Sequence, residues 1–395
     1  MKSKSPSIYI ITLLLFCMSA LSGISSDIYI AAFPDISSFF KVSESLIKST
    51  LSLFFIGLGL SQIIYGPLSD AFGRKKIILL GSIIFFLGTI LCIFSKNFNV
   101  FLCGRFIQGI GVGAMVCISR AITKDMFKDK LLVKALSYIG MGLAIMPAIS
   151  PVLGSYIQYY IGWKYEFIFM LLYSLFLQLA VTFFIPETNE NKHIKPMKTI
   201  IKEYFIILSD HIFLINVIIA SFIISMIYIF YSLSSFYFQK YYYWSEIEYS
   251  QVAILIAMSL LLGRKVNIYL ISLISGNQII FFGSIVALAS SISTFILFYI
   301  GFNTILIVLI SICLYSISGG IIFSNTFVGA TNRYTKTAGL ASAMYGVMQM
   351  TIVFFLITTS SMLDSLNNVT TIFVFLILFS LLSTIMSSFL IKKKM

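Results

Sequence analysis

The sequence predicts an all-α membrane protein with twelve spanning helices in two bundles of six. Three observations lead there. Of the 395 residues, 59% are hydrophobic and only 10% are charged, with a mean hydropathy of +1.00. That leaves too little polar surface for a water-soluble chain of this size. Apolar runs of about 20 residues, the length that crosses a bilayer as helix, recur along the whole chain. The longest polar interruption, PETNENKHIKPMKTIIKEY, lies near the midpoint with six runs on either side. The predicted spans are 8–30, 46–65, 77–94, 100–118, 132–156, 167–185, 212–236, 250–270, 279–299, 304–323, 338–360 and 371–391. They divide the chain into a bundle over 1–186, a cytoplasmic linker over 187–204 and a bundle over 205–395.

The net charge of +13 invites a nucleic-acid reading, but its placement excludes one. With the N-terminus inside, roughly twenty Lys and Arg fall in inner segments against five outside (Lys41, Lys48, Lys96, Lys164 and Lys240). The basic balance is therefore topological, and both termini are expected in the cytoplasm. The five cysteines all fall within apolar spans and form no CxxC, as small buried side chains do. A cleavable signal peptide is not expected, because the first span is too long for one and contains Asp27. The halves carry a trace of duplication. IILLGSIIFF (77–86) and IIFFGSIVAL (279–288) share half their letters at an offset of 202. At that offset Asp70 maps to Ser272, Gly73 to Ser275 and Arg74 to Gly276, so the charged turn of the first half has no counterpart in the second.

The first span holds Asp27 near its outer end, and the fourth holds Arg105 about two turns below its own. Because these helices run in opposite directions, the two residues arrive at similar depth. An ion pair there would offset the cost of burying each. Two readings stand: a protonatable couple that responds to external protons, or a structural brace between helices. The second span leads into YGPLSDAFGRKKIILLG, which gathers Gly66, Pro67, Asp70, Gly73, Arg74, Lys75 and Lys76. Here Gly66 and Gly73 allow close backbone approach, Pro67 ends or kinks the second helix, and the bases meet the anionic inner leaflet. Arg120 is the counter-charge expected for Asp70, and a merely solvated topogenic loop is the alternative.

The fifth span carries Gly142, Pro147, Pro151 and Gly154, so that helix must bend and can pack closely on a neighbour. In the eighth, Arg264 and Lys265 follow about fifteen apolar residues. Either the helix stops there and they snorkel, or it continues and one cation faces a central cavity where it attracts an anionic substrate. Further cavity candidates are Gln62, Gln108, Tyr138, Tyr228, Tyr231 and Tyr345, polar or aromatic groups in apolar helices, with Tyr315, Asn325 and Gln349 behind them.

These segments resemble the major facilitator superfamily along the whole chain, and most nearly the Bcr/CflA-type drug:proton antiporters. The charged turn follows G-x-L-[SA]-D-x-x-G-R-[KR]-[KR]. SSDIYIAAFPDI (25–36), GRFIQGIGVGA (104–114), SRAITKDMF (119–127), GLAIMPAISPVLGSYIQYYIGWKYEFIF (142–169) and AGLASAMYGVMQ (338–349) carry the likeness further, in the right order. The resemblance implies two pseudo-symmetric six-helix bundles working by alternating access. It implies that Asp70 latches onto the start of the eleventh helix near Thr337–Gly339, that Arg105 is important, and that the fifth-helix motif marks an exporter. The expected function is proton-driven export of small amphipathic compounds such as antibiotics from the cytoplasm across the inner membrane, by a monomer. An exporter of an anionic metabolite or siderophore is the alternative. Small-molecule substrate, protons and the lipid bilayer are the expected partners. No cofactor, metal or nucleic acid is expected. An enzyme is not expected either: His193 and His211 lie near the linker, and no H-E-x-x-H or intramembrane carboxylate dyad is present.

Overall fold

The computed structural model of the protein describes residues 8–127, 129–189, 197–302, 304–334, 338–362 and 368–392. Among these, the secondary structure is helical throughout, with no strand. The first half comprises α1 (Ile8–Asp27), α2 (Phe33–Phe40), α3 (Glu44–Phe72), α4 (Arg74–Phe94), α5 (Phe98–Met126), α6 (Asp129–Ile161) and α7 (Lys164–Phe184). After α8 (Met197–Leu208) come α9 (His211–Tyr241), α10 (Glu246–Leu270), α11 (Gly276–Tyr299), α12 (Thr304–Thr331), α13 (Ala338–Met362) and α14 (Asn368–Lys392). Eleven of these are long and apolar enough to cross a membrane among the described residues. The 33-residue α6 takes the place of the fifth predicted span. The protein is a multi-pass membrane protein.

Two short helices, α2 and α8, lie outside the predicted spans, and two boundaries move for identifiable reasons. The first helix stops at Asp27 rather than 30, where the chain turns through Ile28–Ala32 into α2, started by Pro34. Asp27 is thus the last residue of its helix, not one a turn or two inside it. The third helix does not end at Pro67: it runs on to Phe72 and stops only at Gly73, whose φ of +107° is left-handed backbone that other residues rarely adopt. The charged turn is therefore a single glycine between two helices, and its acids and bases are helical.

By internal contacts the chain separates into two compact units, 1–43 with 49–201 and 44–48 with 202–395. In the first, α4 packs on α5 and α7, α1 on α5, α6 and α7, and α5 on α6. In the second, α11 packs on α12 and α14, α9 on α12, α13 and α14, and α12 on α13. These pairs correspond across the two units, while α6 on α7 in the first and α10 on α9 and α12 in the second stand outside the correspondence. The start of α11 also falls 202 residues after the start of α4 (276 − 74). Buried faces repeat at that offset as well: Ser82 and Thr89 are matched by Ser284 and Ser291.

Packing within the first unit is set by glycines. Gly81 and Gly88 of α4 meet Gly111 and Gly104 of α5 in antiparallel register, with the same seven-residue step on each helix. A Cβ on Gly111 would overlap the backbone of Phe85, and one on Gly88 the backbone of Gln108. Such close approach lets dispersion hold helices together where lipid removes the usual hydrophobic drive. Gly263 of α10 meets the Ile317 carbonyl and Gly320 of α12 in the second unit.

Asp210 caps α9 in that unit. It accepts from the Ile212 amide (2.9 Å) and the Tyr334 hydroxyl (2.9 Å), with Arg333 at 3.7 Å. Burial alone would raise its pKa, but these amide and hydroxyl donors outweigh it and hold the carboxyl below its ordinary value. The stabilisation is complete above the unfolded carboxyl's pKa of about 3.9 and is lost as pH falls through the lower folded value. Unfolding of the detergent-solubilised protein at graded acid pH should therefore lose an acid-dependent component in Asp210→Asn. Gly88→Leu should lower thermal stability at neutral pH by the overpacking cost, about 1–3 kcal/mol, read from the unfolding midpoint.

Candidate functional site

Two polar clusters form at opposite ends of the first unit. At the Asp27 end, Arg105 of α5 is fully buried. Its Nη1 donates to Gln108 Oε1 (2.7 Å) and its Nη2 to the Ser25 carbonyl of α1 (2.9 Å). Its guanidinium lies over the rings of Tyr29 (4.2 Å) and Phe54 (4.6 Å). Gln108 is fixed in turn by donating to Thr89 of α4 (2.8 Å), and Tyr29 shares a hydrogen bond with Thr50 (2.8 Å). Asp27 is equally buried, with the Ser26 hydroxyl 2.6 Å from Oδ1.

The expected Asp27–Arg105 ion pair is not among the ion pairs of the described residues. Arg105 reaches the backbone two residues short of Asp27 instead. The energetics allow this. An arginine at mid-helix costs about 2.5–3.5 kcal/mol to insert. Each desolvated ring face returns about 2 kcal/mol, and the two hydrogen bonds add to that. Two nitrogens of the cation are hydrogen-bonded and its faces are covered by rings, while Nε meets no acceptor among the described residues, so Arg105 is tethered to the stretch before Asp27 through the Ser25 carbonyl.

Around this point α6 presses on α1. A Cβ on Gly154 would overlap the Ile28 carbonyl, and one on Gly23 would strike Met146, the residue before Pro147. The predicted close partner of the fifth-span motif is therefore α1, on both sides of Asp27. Pro147 and Pro151 lie inside the continuous α6. The side chains at Gly142 and Tyr138 are outside the described residues.

The second cluster gathers at the other end around Arg74, the first residue of α4. Its guanidinium meets Asp70 (2.5 Å), Asp125 of α5 (3.0 Å) and the Ser69 hydroxyl (2.6 Å). Glu187, just after α7, accepts from the backbone amides of Arg74 (2.8 Å) and Lys75 (3.3 Å), capping α4 where the helix dipole favours an anion. Thr188 donates to Asp125 (3.0 Å), and Asn189 donates to the Asp70 carbonyl (2.7 Å). Lys75 Nζ donates to the Thr182 carbonyl (2.7 Å).

Several expectations for this turn are corrected. The ion-pair partner of Asp70 among the described residues is Arg74, not Arg120. A carboxylate also caps the start of α4, and that acid is Glu187, which was not among the predicted residues. Gly66 has no crowding neighbour, since a Cβ there would sit 4.0 Å from Cys117 Sγ; Gly73 is required by its backbone angle, with the Glu187 carboxylate packed against it. With Arg74 and Lys75 engaged, Lys76 is the exposed base left to meet lipid. Thr337, in the predicted latch partner Thr337–Gly339, lies outside the described residues, as do the side chains of Ala338 and Gly339. Sequence reading passed over Asp125 and Glu187; the signals were the K-D pair closing α5 and the P-E-T-N run after the sixth span.

In the second unit α10 does not stop at Arg264 and Lys265 but runs to Leu270. Arg264 is half-buried, with no hydrogen-bond or ion-pair partner among the described residues, while Lys265 is exposed. One turn on, Asn267 accepts from Asn325 (2.7 Å). Gln62 donates to its own helix at Leu58 (3.1 Å), Tyr228 and Tyr231 meet edge to face, and Tyr345 packs on Phe327. Gln108 is committed to Arg105 and is no longer a free cavity group.

The Major Facilitator Superfamily model matches residues 15–358. An uncharacterized transporter of Rickettsia felis is 24% identical over 349 residues, 86% of each chain. A bicyclomycin resistance protein homolog of Haemophilus influenzae is 33% identical over 208 residues, 52% of each chain. Multidrug resistance protein D of Escherichia coli is 28% identical over 177 residues, 45% of each. Among solved structures a D-xylose-proton symporter superposes with a TM-score of 0.78 over 97% of both chains, at 16% identity, a likeness of fold alone. Two helical units with corresponding packing, the Gly73 turn with its charged cluster and a family match over most of its length agree: the chain belongs to the major facilitator superfamily, a family of transporters and not of enzymes.

Proposed function

We propose that this transporter is a proton-coupled exporter of small amphipathic compounds, antibiotics among them, working by alternating access. The observation that carries the reading is the buried carboxylate of Asp27 at the very end of α1, beside an arginine that tethers the same stretch of backbone. Protonating Asp27 removes a buried charge where α1, α5 and α6 converge. The Ser26 hydroxyl then loses its ionic acceptor, and the end of α1 can shift against Arg105. Gly154 and Met146 transmit that shift to the proline-bearing α6. An inward proton gains about 2.3 kcal/mol per 100 mV of membrane potential, which drives export uphill. The bicyclomycin- and multidrug-resistance relatives support drugs as the substrate class. The basic asymmetry supports cytoplasmic termini in an inner membrane, and we read the unit of action as a monomer.

The Arg74 cluster fits a latch between conformations. It ties α3, α4 and α5 into one block while Asp70 keeps an exposed face for a second partner in the outward-facing state. A second reading, export of an anionic metabolite, is favoured by the half-buried Arg264 and its lack of a partner among the described residues.

In inverted vesicles with an imposed pH gradient, Asp27→Asn should abolish gradient-driven accumulation of drug while leaving drug binding intact. Full accumulation by the variant would refute the coupling role. Arg74→Ala should expose the cytoplasmic mouth to thiol labelling and slow transport at unchanged expression; a wild-type labelling pattern would count against the latch. Loss of export of carboxylate siderophores alone in Arg264→Ala would select the second reading.

A further inference from the structure

Asp27 and Arg105 do not exhaust the buried ionisable groups of the first unit. Glu166, in the first turn of α7, was not among the candidates read from sequence, yet its side chain is 0% exposed. Neither carboxylate oxygen meets a hydrogen-bond donor among the described residues. The cation two residues earlier does not serve it, because Lys164 Nζ lies over the rings of Phe39 (4.7 Å) and Trp163 (5.6 Å).

The elements packed around this end of α7 supply other charged or titratable groups. They are Asp35 on α2, Asp27 and Tyr29 on α1, Cys92 on α4 and Arg105 on α5; the tyrosines closing α6 are exposed. Of these, Asp27 and Asp35 are the carboxylates, each of like charge to Glu166 when ionised. Asp35 is exposed and accepts from Gln158 Nε2 of α6. Partial burial raises its pKa, with the Gln158 bond pulling the other way. Gln158 Oε1 is itself buried without a donor.

The inventory is one-sided: two carboxylates and an amide oxygen all accept, and one amide NH₂ donates. A buried carboxylate with no donor is among the most expensive arrangements a protein can hold, and a proton on it relieves the cost and supplies a donor. The geometry also has a direction. Asp35 reaches the surface, Glu166 lies wholly inside, and the next residue, Phe167, packs on the Tyr29 ring (5.7 Å) and lies 5.9 Å from the Arg105 guanidinium. Charge at Glu166 is therefore one side chain removed from the cluster that holds the end of α1.

We propose that Glu166 carries a proton in this conformation and, with Asp35, forms the entry relay through which external protons reach the Asp27 cluster. Asp35 takes a proton from bulk water and passes it through a bridging water to the Glu166 carboxylate, which no donor among the described residues contacts directly, and Glu166 gives that proton up to Asp27, leaving its own anion. No other co-reactant is needed. This rests on the proton-coupled reading above, with Asp27 remaining the group whose protonation drives the cycle.

Infrared spectroscopy of the purified wild type should show a protonated-carboxyl band that disappears in Glu166→Gln. In proteoliposomes, Glu166→Gln should slow proton-driven export at alkaline outer pH by about a hundredfold, the low end for a positioned proton-transfer group. The substrate gradient finally sustained should not change. Asp35→Asn, at an exposed site that tolerates substitution, should slow export in the same pH range and carries the test if Glu166→Gln misfolds. No band assignable to Glu166, or a wild-type outer-pH profile in both variants, overturns the relay. A smaller sustained gradient in Glu166→Gln overturns it too, because Glu166 would then be a carrier. Wild-type protein that shows no gradient-driven export sinks the coupling reading instead, and the infrared band separates the two failures.

Discussion

Arg105 is the group on which the first unit depends. A permanent cation at this depth must be compensated or it will not stay buried, and although its Nε meets no acceptor among the described residues, its surroundings draw on four helices. Gln108 is on its own helix, the Ser25 carbonyl and the Tyr29 ring belong to α1 and the turn after it, Phe54 lies on α3, and Gln108 leans on Thr89 of α4. A planar guanidinium can use two ring faces and two in-plane acceptors at once, which an ammonium cannot. The result is a joint that needs no carboxylate, and this leaves the charge of Asp27 free to change without removing the counter-ion of Arg105.

On the proton-coupled reading proposed above, that independence is what the transport cycle requires. Were Asp27 the sole partner of Arg105, protonating it would strand a buried cation at a cost of several kcal/mol. Holding Arg105 by a carbonyl and by aromatic faces separates the structural duty from the titrating one. The glycine contacts bring α6 close on both sides of Asp27, with Met146 against Gly23 of α1 and Gly154 against the Ile28 carbonyl just after it.

The Arg74 end follows a different logic. There the charges are partly exposed and mutually paired, so each contact is individually modest. Their value lies in being a network: one guanidinium bridges the ends of α3, α4 and α5, and the segment after α7 adds Glu187, Thr188 and Asn189. A block tied in this way moves as a body, and the left-handed Gly73 makes the sharp junction possible.

The sequence by itself determined the class of protein, the number and order of spans, and the 202-residue repeat that reappears in the starts of α4 and α11. It also marked Gly73, Arg74, Asp27 and Arg105. Each of these is a local property: length of apolar run, composition of a turn, or a charge where none is tolerated without cause. Tertiary structure decided who meets whom. That Arg105 takes a carbonyl in place of Asp27, and that Glu187 caps α4, depend on helices far apart in sequence. Glu166 shows the limit most plainly. Two residues into a helix it reads as an ordinary interfacial acid, and only the packing of α1, α2 and α6 around it makes it a buried carboxylate without a donor. Depth and partnership are set by how helices assemble, and no window of sequence contains that information.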